Sequence, residues 1–176
     1  MPEQYREIID RFTGPYAFLS NFHPCRVTFY GMTFPSVEAA FQAAKCANPQ
    51  DRIQFQTMQP AQAKRRGRQI RMRRDWDARK LTVMHNLLVH KFNENPELIP
   101  KLLDTGGAVL VEGNTWHDNF WGCCTCSRCG GKRGRNNLGR LLMRLRTEYM
   151  AAWQKRVAEN EVLSRHRADP TYRRPI

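Results

Sequence analysis

Two stretches of the chain concentrate side chains able to do chemistry. The first is SVEAAFQAAK, Ser36 to Lys45, in which small and apolar residues surround Glu38, Gln42 and Lys45. These three recur at i, i+4 and i+7 and so fall along one stripe of a helix, with Phe41 alongside. Burying unpaired charge is costly, so the stripe is an internal ion pair, a solvated edge or the wall of a pocket. In a pocket, burial would move both pKa values into a range useful for proton transfer. The second stretch is EGNTWHDNFWG, Glu112 to Gly122. Trp116 and Trp121 offer flat faces on which a base or nicotinamide can stack. Asp118, between them, is a candidate to protonate a leaving base or activate water. The ordinary alternative is that the tryptophans anchor the loop while Asp118 caps a turn.

Three further segments carry weaker signals. GKRGRNNLGRLLMRLR, Gly131 to Arg146, sets glycine, arginine and asparagine ahead of a helix. Free backbone N–H groups and the helix dipole make such a place a phosphate cradle, with Asn137 and Gly139 as candidate contacts, or it is only an exposed connection. KRRGRQIRMRRDWDARK, Lys64 to Lys80, holds nine cations and two aspartates. It reads as a solvated basic face or a phosphate-contacting one, and Trp76 between the aspartates is unlike a surface residue. The third segment is CCTCSRC, whose Cys123, Cys126 and Cys129 share overlapping C-x-x-C spacings, with His117 as a further ligand. A closed zinc site usually draws on two separated pairs, and no second pair exists here. Structural zinc and plain free thiols both stay open, whereas Cys25 and Cys46 read as small hydrophobes.

The elements that must position these groups follow from pattern. CRVTFY and MTF around Gly31 read as a hairpin. Ser36 is an N-cap for the helix from Val37 to Ala47, and Asn48-Pro49 closes it and opens the next. Short helices broken near Gly67 follow. Leu81, Met84, His85, Leu88, Val89 and Phe92 then mark an amphipathic helix over Asp77 to Asn93. PELIPKLLDT is helical up to Gly106-Gly107, and AVLVEG is a buried strand. A loop from Asn114 to Asn137 precedes a last helix marked by Leu138, Leu141, Leu142, Leu145, Tyr149 and Trp153. The expected fold class is α+β: a mainly helical single domain over 1–150 with a small β-sheet. Residues 151–176 form a helix end and a loose basic tail.

The chain has 176 residues, and 29 Lys and Arg against 16 Asp and Glu give a formal charge of +13. Only +3 of this lies beyond Met150, where six cations meet three anions, so the folded part is basic. That favours a polyanionic partner, either nucleic acid or a phosphorylated small molecule. No apolar run spans a bilayer, and the N-terminus lacks a signal-peptide layout, so a cytoplasmic protein with no membrane partner is expected.

Five stretches resemble the NADAR family, in the family's own order: FLSNF, SVEAAFQAAK, AKRRGRQIRMRRDWD, LLDTGGAVLVEGNTWHDNFWG and GRNNLGRLLMRLR. The resemblance implies the YbiA-like fold and hydrolysis of an N-glycosidic bond, with no metal required. It carries the family's acid and lysine onto Glu38 and Lys45, and the aspartate of its loop onto Asp118. It likewise implies substrate contacts at Ser20, Asn21, Phe22, Gln42, Trp76, Trp116, Trp121, Asn137 and Gly139. Lys45 would attack the sugar C1 to form a Schiff base, assisted by Glu38, or water led by Asp118 would attack directly. Family substrates are ADP-ribose on guanine in nucleic acid, which the excess charge favours, and phosphorylated ribosylamino-pyrimidine intermediates of riboflavin synthesis. A different class remains beside them: a non-catalytic nucleic-acid-binding module with a zinc knuckle.

Overall fold

The computed structural model describes residues 7–129 and 134–168, with side chains described as far as residue 161. Its centre is α1 (Val37–Ala44), all eight residues of which are buried. Ser36 starts the helix by accepting the Ala39 amide at 3.1 Å. Asn48 does the same for the Gln50 amide at the head of a 3₁₀ segment, Pro49–Thr57. α2 (Pro60–Arg66) then ends at Gly67. Leu19, Val27, Phe34, Phe55, Leu87 and Leu88 close around α1 with no exposed surface or almost none.

Among the described residues the strands form three separate pairs rather than one small sheet. β1 (Ile8–Ile9) lies parallel to β4 (Val109–Leu110), β2 (Val27–Phe29) antiparallel to β3 (Met32–Phe34), and β5 (Gly113–Asn114) parallel to β6 (Cys123–Cys124). The hairpin turns through Tyr30 and Gly31, both at positive φ (51° and 73°), as a two-residue hairpin requires. The molecule is α+β, mainly helical with small sheets. No helix among the described residues is long and apolar enough to cross a membrane.

α3 (Trp76–Glu94) covers the expected amphipathic span, but its inward stripe is rotated. Val83, Met84, Leu87, Leu88 and Phe92 face the core, whereas Leu81 is 43% exposed. The same stripe takes in Lys91, which periodicity of apolar residues cannot flag and which is 0% exposed. Its ammonium donates to the Ser20 carbonyl at 2.9 Å, tying the last turn of α3 to the loop after the first 3₁₀ turn (Gly14–Leu19). α4 (Leu98–Asp104) stops before Gly106, at φ 53°. α5 (Asn137–Ala168) buries Leu138, Leu142 and Leu145. Beyond Met150 it projects away from the core: residues 151–161 are all exposed, Trp153 among them. The remainder of the expected tail, 169–176, lies outside the described residues.

Burial holds the Lys91 ammonium down to a pKa of about 8. The unfolded chain therefore binds more protons than the folded one between about pH 8 and 10.5, so stability rises with pH across that window and is lost as pH falls through 8. Chemical denaturation of wild type should show a gain on the order of 3 kcal/mol across it, and Lys91→Met should flatten this dependence.

Candidate active site

A cavity of about 360 Å³ opens beside α1, between the Ser20–Phe22 loop, α2, α3 and the loop after β4. Its polar groups come from Glu38 and Gln42 on α1, Lys64 on α2, and Glu112 and Asp118 on the loop. Phe12, Phe22, Phe41, Trp116 and Trp121 supply the aromatic walls. A volume of this order lies near the lower end of the range usual for small-molecule sites.

The stripe on α1 is a continuous hydrogen-bonded line. Gln42 Nε2 donates to Glu38 Oε1 at 2.8 Å, and Lys45 Nζ donates to Gln42 Oε1 at 2.9 Å and to the Gly67 carbonyl at 2.8 Å. A Cβ at Gly67 would occupy the place of the Gln42 amide, so that glycine makes room for the line. Burial pushes the Glu38 carboxyl above its usual range, against the Gln42 bond and the charges of Lys64 and Lys45. Burial also lowers the Lys45 pKa, with Glu38 opposing. The N-terminus of α1 is tied to the next wall, because the Glu38 amide donates to the Asn21 carbonyl at 3.0 Å.

The loop is held by side-chain amides. Asn114 accepts the Asp118 amide at 3.1 Å and donates to its carbonyl at 2.7 Å. Asp118 Oδ1 accepts the Phe120 and Trp121 amides at 3.1 and 2.8 Å. Asp118 thus both caps the turn and lines the cavity, so the two sequence readings of it describe one side chain. Asn136, at φ 49°, accepts the Glu112 amide and donates to the Leu110 carbonyl. Trp121 meets the Phe41 ring edge-on at 5.3 Å. Trp116 is 56% exposed at the rim, with Lys64 Nζ 5.2 Å from its ring. Burial, and then the charge of Asp118, push the Glu112 carboxyl up to about 7. Its Oε2 and Asn21 Oδ1 are buried without a hydrogen-bond partner, two polar atoms that a ligand could satisfy.

Of the residues singled out in the sequence, Ser20, Asn21, Phe22, Glu38, Gln42, Trp116, Asp118 and Trp121 line the cavity. Lys45 stands behind Gln42, at the far end of the polar line. Trp76 is buried against Phe41, ring centres 4.9 Å apart, and supports that wall from behind. Asn137 donates to the Phe120 carbonyl at 2.8 Å, and Gly139 lets α5 approach the Leu110 carbonyl. The amides expected to be free for phosphate are engaged. Those of Arg135, Asn136, Asn137 and Leu138 donate to the carbonyls of Asn119, Gly122, Phe120 and Trp121. The segment clamps the loop because a chain packed this closely satisfies its own donors. Residues 130–133 lie outside the described residues. Sequence reasoning missed Lys64, hidden among the surrounding arginines, and Glu112, which opens the loop motif but has no neighbour in sequence to betray its burial. Phe12, Thr13, Met84 and Leu138 come from distant elements and carry no local signal.

A second cluster lies on the same loop. His117, Cys124, Cys126 and Cys129 bring one ligand atom each within 4.8 Å of one another, a set that could hold a metal ion. The expected trio was Cys123, Cys126 and Cys129. Cys123 is instead turned toward the Gly134 carbonyl, because β6 sends successive side chains to opposite faces.

Comparison with known proteins agrees with this architecture. The NADAR domain model matches residues 9–150. A Nostoc punctiforme N-glycosidase is 34% identical over 140 residues, covering 76% of this chain and 86% of that protein. The riboflavin biosynthesis protein PYRR of Zea mays is 40% identical over 133 residues, covering 67% of this chain but only 20% of that longer protein. The solved structure of YbiA from Escherichia coli superposes with a TM-score of 0.70 at 31% identity, covering 88% of this chain and 96% of that one. The chain belongs to the NADAR domain family.

Replacing Gly67 by Ala should force Gln42 off the polar line. Thermal denaturation should show a loss of about 1–3 kcal/mol, whereas a variant of unchanged stability would mean that the Gln42 side chain relocates freely.

Proposed function

We propose that the chain is an N-glycosidase that hydrolyses the bond between a phosphorylated ribose, or the ribose of ADP-ribose, and a base or amine. The observation that carries this reading is the meeting of three carboxyls, Glu38, Glu112 and Asp118, with Lys64 in one aromatic-walled cavity. The relatives named N-glycosidase support it.

Cleavage of the C1–N bond needs a proton on the leaving nitrogen and an oxygen nucleophile on C1. Glu112, with its pKa of about 7, supplies the proton as general acid near neutrality. Asp118, its Oδ1 fixed by two amides, takes a proton from water with the oxygen that remains. Glu38 and Gln42 orient the sugar hydroxyls, while Trp116 and Trp121 stack on the base. Ser20, Asn21 and Phe22 complete that wall. In the covalent variant an amine attacks C1, the base departs with the Glu112 proton, and water hydrolyses the imine to free the sugar and the lysine. The cavity amine is Lys64, and Lys45 then acts on it only through Gln42 and Glu38. Lys45 itself is the alternative nucleophile, favoured by its lowered pKa. Trp76, Asn137 and Gly139 hold the walls from outside. A metal at the cysteine cluster would have no part in these steps.

Guanine in nucleic acid carrying ADP-ribose is the favoured substrate, because a formal charge of +13 suits a polyanion. A modified base would enter the cavity from single-stranded or flipped nucleic acid. The name of the Zea mays relative, a riboflavin biosynthesis protein, favours the second reading, phosphorylated ribosylamino-pyrimidine intermediates.

Release of ADP-ribose from guanine-modified single-stranded DNA should be measured beside hydrolysis of a ribosylamino-pyrimidine phosphate. Turnover of the first alone is the expected result, and turnover of the pyrimidine alone would transfer the role to metabolite disposal. Borohydride trapping should label Lys64 in the covalent variant. A label on Lys45 would exchange the two lysines, and none during turnover would leave direct attack by water. Where water attacks directly, kcat/KM should fall roughly tenfold per unit above about pH 7 as Glu112 loses its proton. Glu112→Gln should abolish that limb and reduce the rate about 10²- to 10⁴-fold. A rate that climbs steadily through pH 7 would remove Glu112 as the acid.

A further inference from the structure

The loop that carries Trp116, Asp118 and Trp121 is long and nearly without regular structure, yet it must hold those side chains to a fraction of an ångström. Its two short strands, Gly113–Asn114 and Cys123–Cys124, are too brief to do so alone. His117 sits between Trp116 and Asp118 with φ at 68°, in the left-handed region that few residues other than glycine occupy. In that conformation its Nδ1 lies 3.1 Å from Cys126 Sγ and 3.5 Å from Cys129 Sγ. Cys124 Sγ completes a group whose ligand atoms are all within 4.8 Å of one another.

We propose that His117, Cys124, Cys126 and Cys129 bind one zinc ion, and that this ion fixes the candidate active-site loop. Zinc held tetrahedrally at about 2.3 Å from sulfur and about 2.0 Å from nitrogen places ligand atoms roughly 3.5–3.8 Å apart, the spacing that the His117 contacts already approach. Three soft thiolates and an imidazole select zinc over hard cations such as magnesium or calcium. Four protein ligands leave no coordination position for substrate, so the ion is structural. The surrounding donors suit thiolate sulfur. The His117 amide points at Cys124 Sγ and Asn119 Nδ2 at Cys129 Sγ, both at 3.3 Å. Such N–H···S bonds orient ligands from outside the coordination shell. Asn119 also accepts the Cys124 amide at 2.9 Å, closing the loop on itself. A disulfide would use two of the three sulfurs and leave the converging imidazole unexplained, and all three thiols are free.

The ligand set differs from the one that C-x-x-C spacing picks out, and this makes the proposal sharply testable. The full chain, purified under reducing conditions, is assayed for metal by mass spectrometry, and cobalt(II) then replaces the bound ion. Wild type should contain about one zinc per chain, and its cobalt form should give the intense visible bands and sulfur charge-transfer absorption of a tetrahedral thiolate site. Cys129→Ser and Cys126→Ser should lower metal content tenfold or more, while Cys123→Ser and Cys25→Ser retain it. If a ligand variant fails to fold, the wild-type cobalt spectrum and the retention of metal in Cys123→Ser still decide. A wild-type chain that neither contains zinc nor takes up cobalt overturns the proposal. So does loss of metal in Cys123→Ser equal to that in Cys129→Ser, or a disulfide among Cys124, Cys126 and Cys129. None of these readouts depends on glycosidase activity, so they stand or fall apart from the reaction assigned above.

Discussion

A carboxylate, an amide and an amine lie along one face of an otherwise apolar helix, and the need to satisfy them shapes what surrounds α1. An unpartnered charge at this depth would cost several kcal/mol. The line from Glu38 through Gln42 to Lys45 and the Gly67 carbonyl meets that need with three hydrogen bonds of 2.8–2.9 Å. It also explains why the chain after α2 can approach α1 only through a glycine. The inner end of the line opens into the cavity, where Lys64 adds the positive charge that the buried carboxyls lack.

The remaining walls are secured by the same means at a distance. Lys91, buried in α3, holds the Ser20 carbonyl and so sets the position of Asn21, whose own carbonyl receives the first-turn amide of α1. Asn136 and Asn114 do the corresponding service for the loop after β4. Each uses both ends of a side-chain amide to replace the backbone partners that an irregular segment lacks. The site is therefore a set of loops braced by buried polar groups against one apolar helix. Such bracing is directional, and it leaves Asn21 Oδ1 and one oxygen of Glu112 unsatisfied among the residues that line the cavity.

The cysteines give the loop a character of its own. Residues 117–129 contribute little to the hydrophobic core, Cys124 being the one buried hydrophobic residue among them. Where apolar burial cannot order a segment, metal ligation or covalent cross-linking commonly does. The proximity of His117 to Asp118 means that whatever orders the cluster also orders the candidate site.

By itself the sequence determined the α+β class, the capped helix from Ser36, the stripe of Glu38, Gln42 and Lys45, and the aromatic loop around Asp118. Each is a local pattern with a local cause: a cap, a helical period, a run of residue types. Tertiary structure decided the rest. It rotated α3 so that Lys91 is buried and Leu81 exposed, turned Lys45 behind Gln42, and brought in Lys64 and Glu112. It also spent the amides of the basic segment on the loop and put Cys124 rather than Cys123 beside His117. Which face of a strand or helix meets which neighbour, and how deeply a charge is buried, depend on contacts between residues far apart in the chain. Spacing along the sequence carries no record of them.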